Sequence, residues 1–336
     1  MVDRCFYDTH GFVSLIVIGE GSFGTVHCGF CPERNMLIAV KVVQKSHLLK
    51  RQQCVDSNDC IRRAQEEILA LKHVQPNPHI MDLFSAYQTD SCLYIKTAYY
   101  CGGEFLTYLD NNSPLSFDVA MFYVVELAAA LSYLHDKCVF YGDLKPENIA
   151  LDSRGHMKIL DFGLAMILPS KTSRFQTSSG SLEYVAPEIL MRYNQGIGIE
   201  ADWWSFGILS YELFFGDVPF MEENRQSLCN LICEGQLDSD YMREMQPAVV
   251  VDLLQNVLEK SPHCRLGNPL GPDILQHSLF ANTPWDLVNS HSLEPPYVPY
   301  VSSPRDFSHF AQEFISTPNT IVNNPVDMAV EGYDWK

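Results

Sequence analysis

Residues 141–148 read YGDLKPEN, and further on residues 158–165 read KILDFGLA. The first stretch sets an acid, a lysine and an amide at fixed short intervals: Asp143, Lys145 and Asn148. Asp143 can accept a proton from an attacking hydroxyl, Lys145 can neutralise charge on a transferred phosphoryl, and Asn148 can ligate magnesium through its amide oxygen. Asp161 of the second stretch adds a charged oxygen ligand. Loops that pair Asp with Asn suit magnesium, which prefers hard oxygen donors and retains waters. Any one of these Asp residues alone reads as a turn or helix cap; the ordered set does not.

Upstream, Gly19, Gly21 and Gly24 with Val26 form G-x-G-x-x-G-x-V around Glu20, Ser22 and Phe23. Dinucleotide-binding folds use the same glycines, but there they open a helix. Here TVHCGF follows, so a strand leaves the turn. The pattern predicts a strand–turn–strand flap whose backbone N–H groups cover phosphates. Lys41 lies in IAVKVV, a predicted buried strand. A buried ammonium needs an anionic partner. Glu66 and Glu67 of the next helix compete, and helix phase favours Glu67.

The rest of the chain divides in two. Alternating, β-branched runs and one amphipathic helix, about Arg62 to His73 with Ile68, Leu69 and Leu71 as its apolar face, fill the front. QPNPHI breaks that helix. Beyond Gly103 three long apolar segments predict helices: DVAMFYVVELAAALSYLHDK, ADWWSFGILSYELFFG and AVVVDLLQNVLEK. The first is interrupted by Glu126 and reads as a buried helix, so no transmembrane segment is expected. The fold class is α+β and bilobal: a small antiparallel β lobe with one main helix, and a larger, mostly helical lobe. The expected boundaries are an N-terminal segment 1–11, small lobe 12–97, hinge 98–100, large lobe 101–280 and extended tail 281–336. The 336 residues carry a formal net charge of -18, which argues against a nucleic-acid-binding face and suits cationic partners. The 11 cysteines are scattered and odd in number, and no Cys/His cluster has zinc spacing. A reduced, cytoplasmic or also nuclear, monomeric protein is expected.

In order along the chain, GEGSFGTV, AVK, the helical Glu, YGDLKPEN, DFG, VAPE and ADWWSFG resemble a eukaryotic protein kinase, from about Gly19 to Arg265. YVAPE, DWWSFGILSYE, Tyr141 in the usual histidine place and the tail LEPPYVPYVSSPRDFSHF are similar to AGC serine/threonine kinases, nearest the ribosomal S6 kinase group. The resemblance implies ATP and Mg2+ as cofactors. It implies that Ala39 of AVK lies in the ATP site, Thr97 guards its back, Ala98 to Tyr100 form the hinge, Glu104 bonds the ribose and Phe310 of the tail approaches the adenine pocket. It implies that Arg265 pairs with Glu188, that Asp202 holds the catalytic-loop backbone and that Ser181 bonds back to Asp143. Lys145 implies serine/threonine specificity. Glu104, Glu147 and Glu212 match acidic positions that receive arginines upstream of the phosphoacceptor, implying protein substrates with basic residues there.

Three departures, at Gly142, Met166 and Asp334, concern regulation. Gly142 replaces the arginine that usually reaches the activation-loop phosphate, and Met166 replaces an often basic residue. Thr177 holds the phosphoacceptor place, with Arg174 and Lys171 as alternative cations. A phosphate orders a loop only by meeting cations, so Thr177 phosphorylation is expected to matter less than usual. At the chain's end, VEGYDWK puts Val330, Tyr333 and Trp335 in apolar positions and Asp334 where a phosphate falls in relatives; Thr317 resembles a second phosphosite. Leu160, where AGC kinases commonly carry Thr, and Gly142 keep a second reading open, a nucleotide-binding pseudokinase acting as a scaffold.

Overall fold

The computed structural model describes residues 6–7, 12–21, 24–46, 57–303, 305–310, 312–316 and 333–335. Ser22, Phe23, Thr317 and Val330 lie outside the described residues. The β-branched front of the chain forms an antiparallel sheet of six strands: β1 Phe6–Tyr7, β2 Val13–Gly21, β3 Gly24–Cys31, β4 Met36–Gln44, β5 Leu83–Gln88 and β6 Cys92–Ala98. The strand order is β1-β2-β3-β4-β6-β5. The β2–β3 hairpin closes at Gly21 opposite Gly24, so the glycine turn forms its tip. A Cβ on Gly24 would run into the Val42 carbonyl, so only glycine lets β3 approach β4 this closely. Lys41 sits opposite Ile95, and Ala39 opposite Thr97, in the β4–β6 ladder.

Helix α1, Ser57–His73, begins before the expected Arg62. Ile68 and Leu71, three residues apart, are fully buried, whereas Leu69 is 51% exposed. Leu69 is therefore not on the apolar face: one residue on from Ile68, it is turned about 100° toward solvent. The sequence also contains one C-x-x-C spacing, Cys28 to Cys31. In β3 residues three apart face opposite sides. Cys28 packs with Ile18 and Phe310, and Cys31 with Phe12 and Ile38, so the two thiols form no pair.

Past Ala98 the chain is mostly helical: α2 Phe105–Asn112, α3 Phe117–Asp136, α4 Pro187–Leu190, α5 Glu200–Phe215, α6 Arg225–Glu234, α7 Ser239–Met245 and α8 Ala248–Val257. By length and composition α3 could cross a membrane, but most of it is enclosed by protein. Its Leu127, Leu131 and Leu134 are fully buried, and Glu126 accepts hydrogen bonds from His156 Nδ1 and Met157 N. Between α3 and α4, two short ladders hold the loops that carry YGDLKPEN and DFG. Strand β7 Val139–Phe140 pairs with β10 Met166–Ile167, and β8 Ile149–Leu151 with β9 Met157–Ile159. The far side of the large lobe is braced by Arg265, whose Nη1 and Nη2 donate to the two Glu188 oxygens at 2.6 and 2.8 Å with both side chains fully buried. After α9, Trp285–Asn289, the tail returns to the small lobe.

Candidate active site

The two lobes enclose a cleft of about 1300 Å³. Its roof carries Gly19, Glu20, Gly24 and Val26 of the hairpin, with Ala39 and Lys41 of β4. Gly21, at the end of β2, continues the same hairpin. Its back holds Thr97 and Ala98, then Tyr99 and Tyr100; its floor holds Asp143, Lys145, Asn148 and Asp161. Phe310 closes one side, stacked on Tyr99 at a ring separation of 5.7 Å. Glu104 lines the cleft just before α2, with its Oε1 3.9 Å from where a Cβ on Gly19 would lie.

Lys41 sits between two carboxylates. Its Nζ donates to Glu67 Oε1 at 2.6 Å and to Asp161 Oδ1 at 2.8 Å. Glu66, the rival candidate, is half-buried and pairs instead with Arg62. Burial acts to lower the Lys41 pKa, but Asp161 and Glu67 outweigh it and hold the ammonium above its ordinary value. Burial likewise opposes charge on Asp161, yet Lys41 and the Gly163 amide hold its carboxyl below the usual carboxylate range. Strand β4, helix α1 and the DFG loop are thus tied together through one ammonium, with α1 drawn toward the sheet.

The catalytic loop is fixed from below and from the side. Asp202, at the start of α5, accepts hydrogen bonds from Tyr141 N and Gly142 N, each at 2.8 Å, and bonds to His135 Nε2 at 2.9 Å. Asp143 Oδ1 accepts from Ser181 Oγ at 3.0 Å, and Lys145 Nζ donates to that hydroxyl at 2.6 Å while lying 3.2 Å from Asp143 Oδ2. Asn148 Nδ2 donates to both Asp143 O and Oδ2 at 2.8 Å. Two donations fix the amide's orientation and leave its oxygen as the ligand atom. Asn148 Oδ1 and the Asp161 carboxylate are a hard, oxygen-only donor set, which fits Mg2+.

The protein kinase domain family matches residues 12–280. The chain belongs to the protein kinase family. It is 34% identical over 322 residues to ribosomal protein S6 kinase beta of Caenorhabditis elegans, covering 94% of this chain and 56% of that protein. It is 34% identical over 310 residues to ribosomal protein S6 kinase alpha-6 of Homo sapiens, covering 91% and 40%. With serine/threonine-protein kinase gad8 of Schizosaccharomyces pombe the identity is 35% over 306 residues, covering 91% and 51%. These relatives are AGC kinases, and the chain spans about half of their lengths.

Seen as a kinase, the molecule has several contacts that sequence reasoning missed. Tyr141, in the usual histidine place, donates its hydroxyl to Leu160 O at 2.6 Å and packs edge-on against the buried Phe162. It links the catalytic loop directly to the DFG loop, through a backbone carbonyl that any residue at 160 would supply. Gly142 adopts φ +84°. Lys171 is engaged by Asp136, and Arg174 by the fully buried Glu200, so each alternative cation already has a carboxylate partner. The activation segment is held by neutral contacts as well. Phe175 pairs by both backbone bonds with Ile197, at 3.0 and 2.8 Å, and its ring packs 4.7 Å from Phe140. Thr177 is half-buried, its hydroxyl oxygen accepting from Ser179 N.

Of the acidic trio, Glu147 and Glu104 line the cleft. Glu212 of α5 accepts from the Tyr184 hydroxyl at 2.7 Å. Burial, despite that bond and with help from Glu147, Asp217 and Asp110, pushes its pKa up to about 7. At the far edge of the sheet, Trp335 pairs with Ala86 of β5 through both backbone bonds, and Tyr333 is 1% exposed. Asp334 accepts from Gln88 N and Nε2, and Gln88 Oε1 accepts from Lys45 Nζ. Lys72 of α1 lies over the Trp335 ring at 5.6 Å. The apolar positions of VEGYDWK and Asp334 in the phosphate place signalled this docking; Lys45 and Gln88 left no mark in the sequence.

Proposed function

We propose that this chain is a catalytically active protein serine/threonine kinase that uses Mg-ATP and phosphorylates proteins beside basic residues. The observation that carries the reading is Lys41 bonded at once to Glu67 and Asp161, above an Asp143 already oriented by Ser181, Lys145 and Asn148. Asn148 and Asp161 would hold magnesium, which would offset the charge on the phosphates of bound ATP. Asp143 orients and deprotonates the substrate hydroxyl, while Lys145 offsets negative charge beside it. Because these groups are held before substrate arrives, little reorganisation accompanies the reaction. Gly142 and Leu160, the residues behind the scaffold reading, act here through backbone atoms, which leaves the catalytic side chains intact.

The acidic trio Glu104, Glu147 and Glu212 and the net charge of -18 support selection of basic peptides. Ordering of the activation segment by Phe175, Ile197 and the Arg174–Glu200 pair supports activity without phosphate on Thr177. Asp334, within the field of Lys45 and Lys72, supports a tail that holds α1 inward with a carboxylate in place of a phosphate. The eight cysteines whose side chains are described are all free, which suits action in a reducing cytoplasm or nucleus. A peptide-library phosphorylation screen with the purified chain, using Asp143→Asn as control, tests the reading. Transfer enriched for upstream Arg and abolished by Asp143→Asn is expected. Nucleotide-dependent stabilisation with no transfer to any peptide would favour the scaffold instead.

A further inference from the structure

Away from the cleft, four side chains from four chain segments meet in the interior. They are His79 of the α1–β5 loop, Glu126 of α3, His156 ahead of β9 and His291 beyond α9, all no more than 5% exposed. None has a part in phosphoryl transfer. His291 Nε2 lies 2.9 Å from His79 Nδ1 and 3.9 Å from Glu126 Oε1. One ligand atom from each of His79, Glu126 and His291 lies within 4.8 Å of the other two. Behind them, His156 Nδ1 bonds to Glu126 Oε1 at 2.6 Å, and the His156 ring stacks on His291 at 4.2 Å.

The atom that His79 turns to His291 is Nδ1; its Nε2, on the other side of the ring, has no hydrogen-bond partner among the described residues. Imidazole ligates metal in its neutral form. Zinc binds nitrogen and carboxylate oxygen at about 2.0–2.2 Å. Tetrahedral ligands at that radius stand roughly 3.3–3.6 Å apart; His291 stands 2.9 Å from His79 and 3.9 Å from Glu126, and the third separation is within 4.8 Å. Two imidazoles and one carboxylate suit zinc and not magnesium, which takes oxygen donors. His156 occupies the outer position that orients a ligating carboxylate.

We propose that His79, Glu126 and His291 form a zinc(II) site that fastens the α1–β5 loop and the tail segment to helix α3. His79 O accepts from Ile159 N at 2.8 Å, two residues before Asp161. The metal would thus steady one wall of the cleft from behind, a structural role independent of whether the chain transfers phosphate.

The test uses the full chain stripped of metal with a chelator, then titrated with cobalt(II) and with zinc(II). Expected are one cobalt per chain with visible ligand-field bands, displacement by zinc, and a zinc-dependent rise in Tm. His291→Gln and His79→Gln each abolish all three, while His156→Gln weakens affinity by roughly 10–100-fold. Nucleotide-induced stabilisation checks that each variant is folded, and the two separate ligand variants guard against misfolding of one. Cys229 and Cys233 lie one turn apart on α6, so Cys229→Ser/Cys233→Ser controls for thiolate binding. Equal metal binding by wild type and both His variants, a thiolate-to-cobalt charge-transfer spectrum lost in the Cys control, or no stoichiometric binding would each overturn the proposal.

Discussion

Gly142 is the residue whose substitution tests the structure most directly. Its φ of +84° lies in the left-handed region. A Cβ there would fall 2.7 Å from the Phe140 ring and 3.2 Å from Leu164 O. For any residue other than glycine the backbone alone costs about 1–2 kcal/mol, and displacing the Phe140 ring adds to that. Gly142→Ala is therefore expected to destabilise the chain by roughly 2 kcal/mol. At about 2–4 °C per kcal/mol for large domains, Tm falls by roughly 4–8 °C. Scanning calorimetry at matched scan rates measures it. Gly142→Arg carries the same backbone cost, so its Tm should fall comparably despite restoring the cation. Turnover well below Tm should change little in Gly142→Ala, because Asp202 grips the amide of residue 142 and not its side chain. If Gly142→Ala unfolds within about 0.5 kcal/mol of wild type, the backbone geometry argued for this loop is wrong.

Three further outcomes follow from the same geometry. If basic peptides bind the charged form of Glu212, their KM should rise as pH falls through about 7, and Glu212→Gln should flatten that profile. The folded value also exceeds the ordinary 4.5. Glu212 thus contributes stability that is complete below 4.5 and lost as pH rises through 7, so Glu212→Gln should raise Tm at pH 8 and not at pH 4.5. Arg265→Met strands the buried Glu188 carboxylate and should cost about 3–5 kcal/mol by urea unfolding; adding Glu188→Gln should restore part of it, and strict additivity would count against the pair. Truncation after Asn324 removes the Tyr333–Trp335 contact. If the tail holds α1 inward, kcat falls and Asp334→Ala gives a smaller loss; unchanged turnover would show that the docked tail is not an activator.

The sequence by itself determined the chemistry and the class of fold. Glycines spaced for a flap, a lysine in a strand and Asp, Lys and Asn at fixed intervals are local patterns, because each loop's geometry is set by its own few residues. Glu67 over Glu66 was also legible, since helix phase is local. Tertiary structure alone decided which distant groups meet. The Lys41–Asp161 bond spans 120 residues, Asp334 reaches Gln88 across 246, and His291 reaches His79 across 212. No periodicity encodes such contacts; they follow from how sheet, helices and tail pack. The same holds for Leu69, apolar yet exposed, and for Cys28 and Cys31, close in sequence yet on opposite faces of one strand. Gly142 shows both sides at once. The sequence marks the loss of a cation, and only the folded loop shows that the position demands a left-handed backbone, which glycine meets without strain.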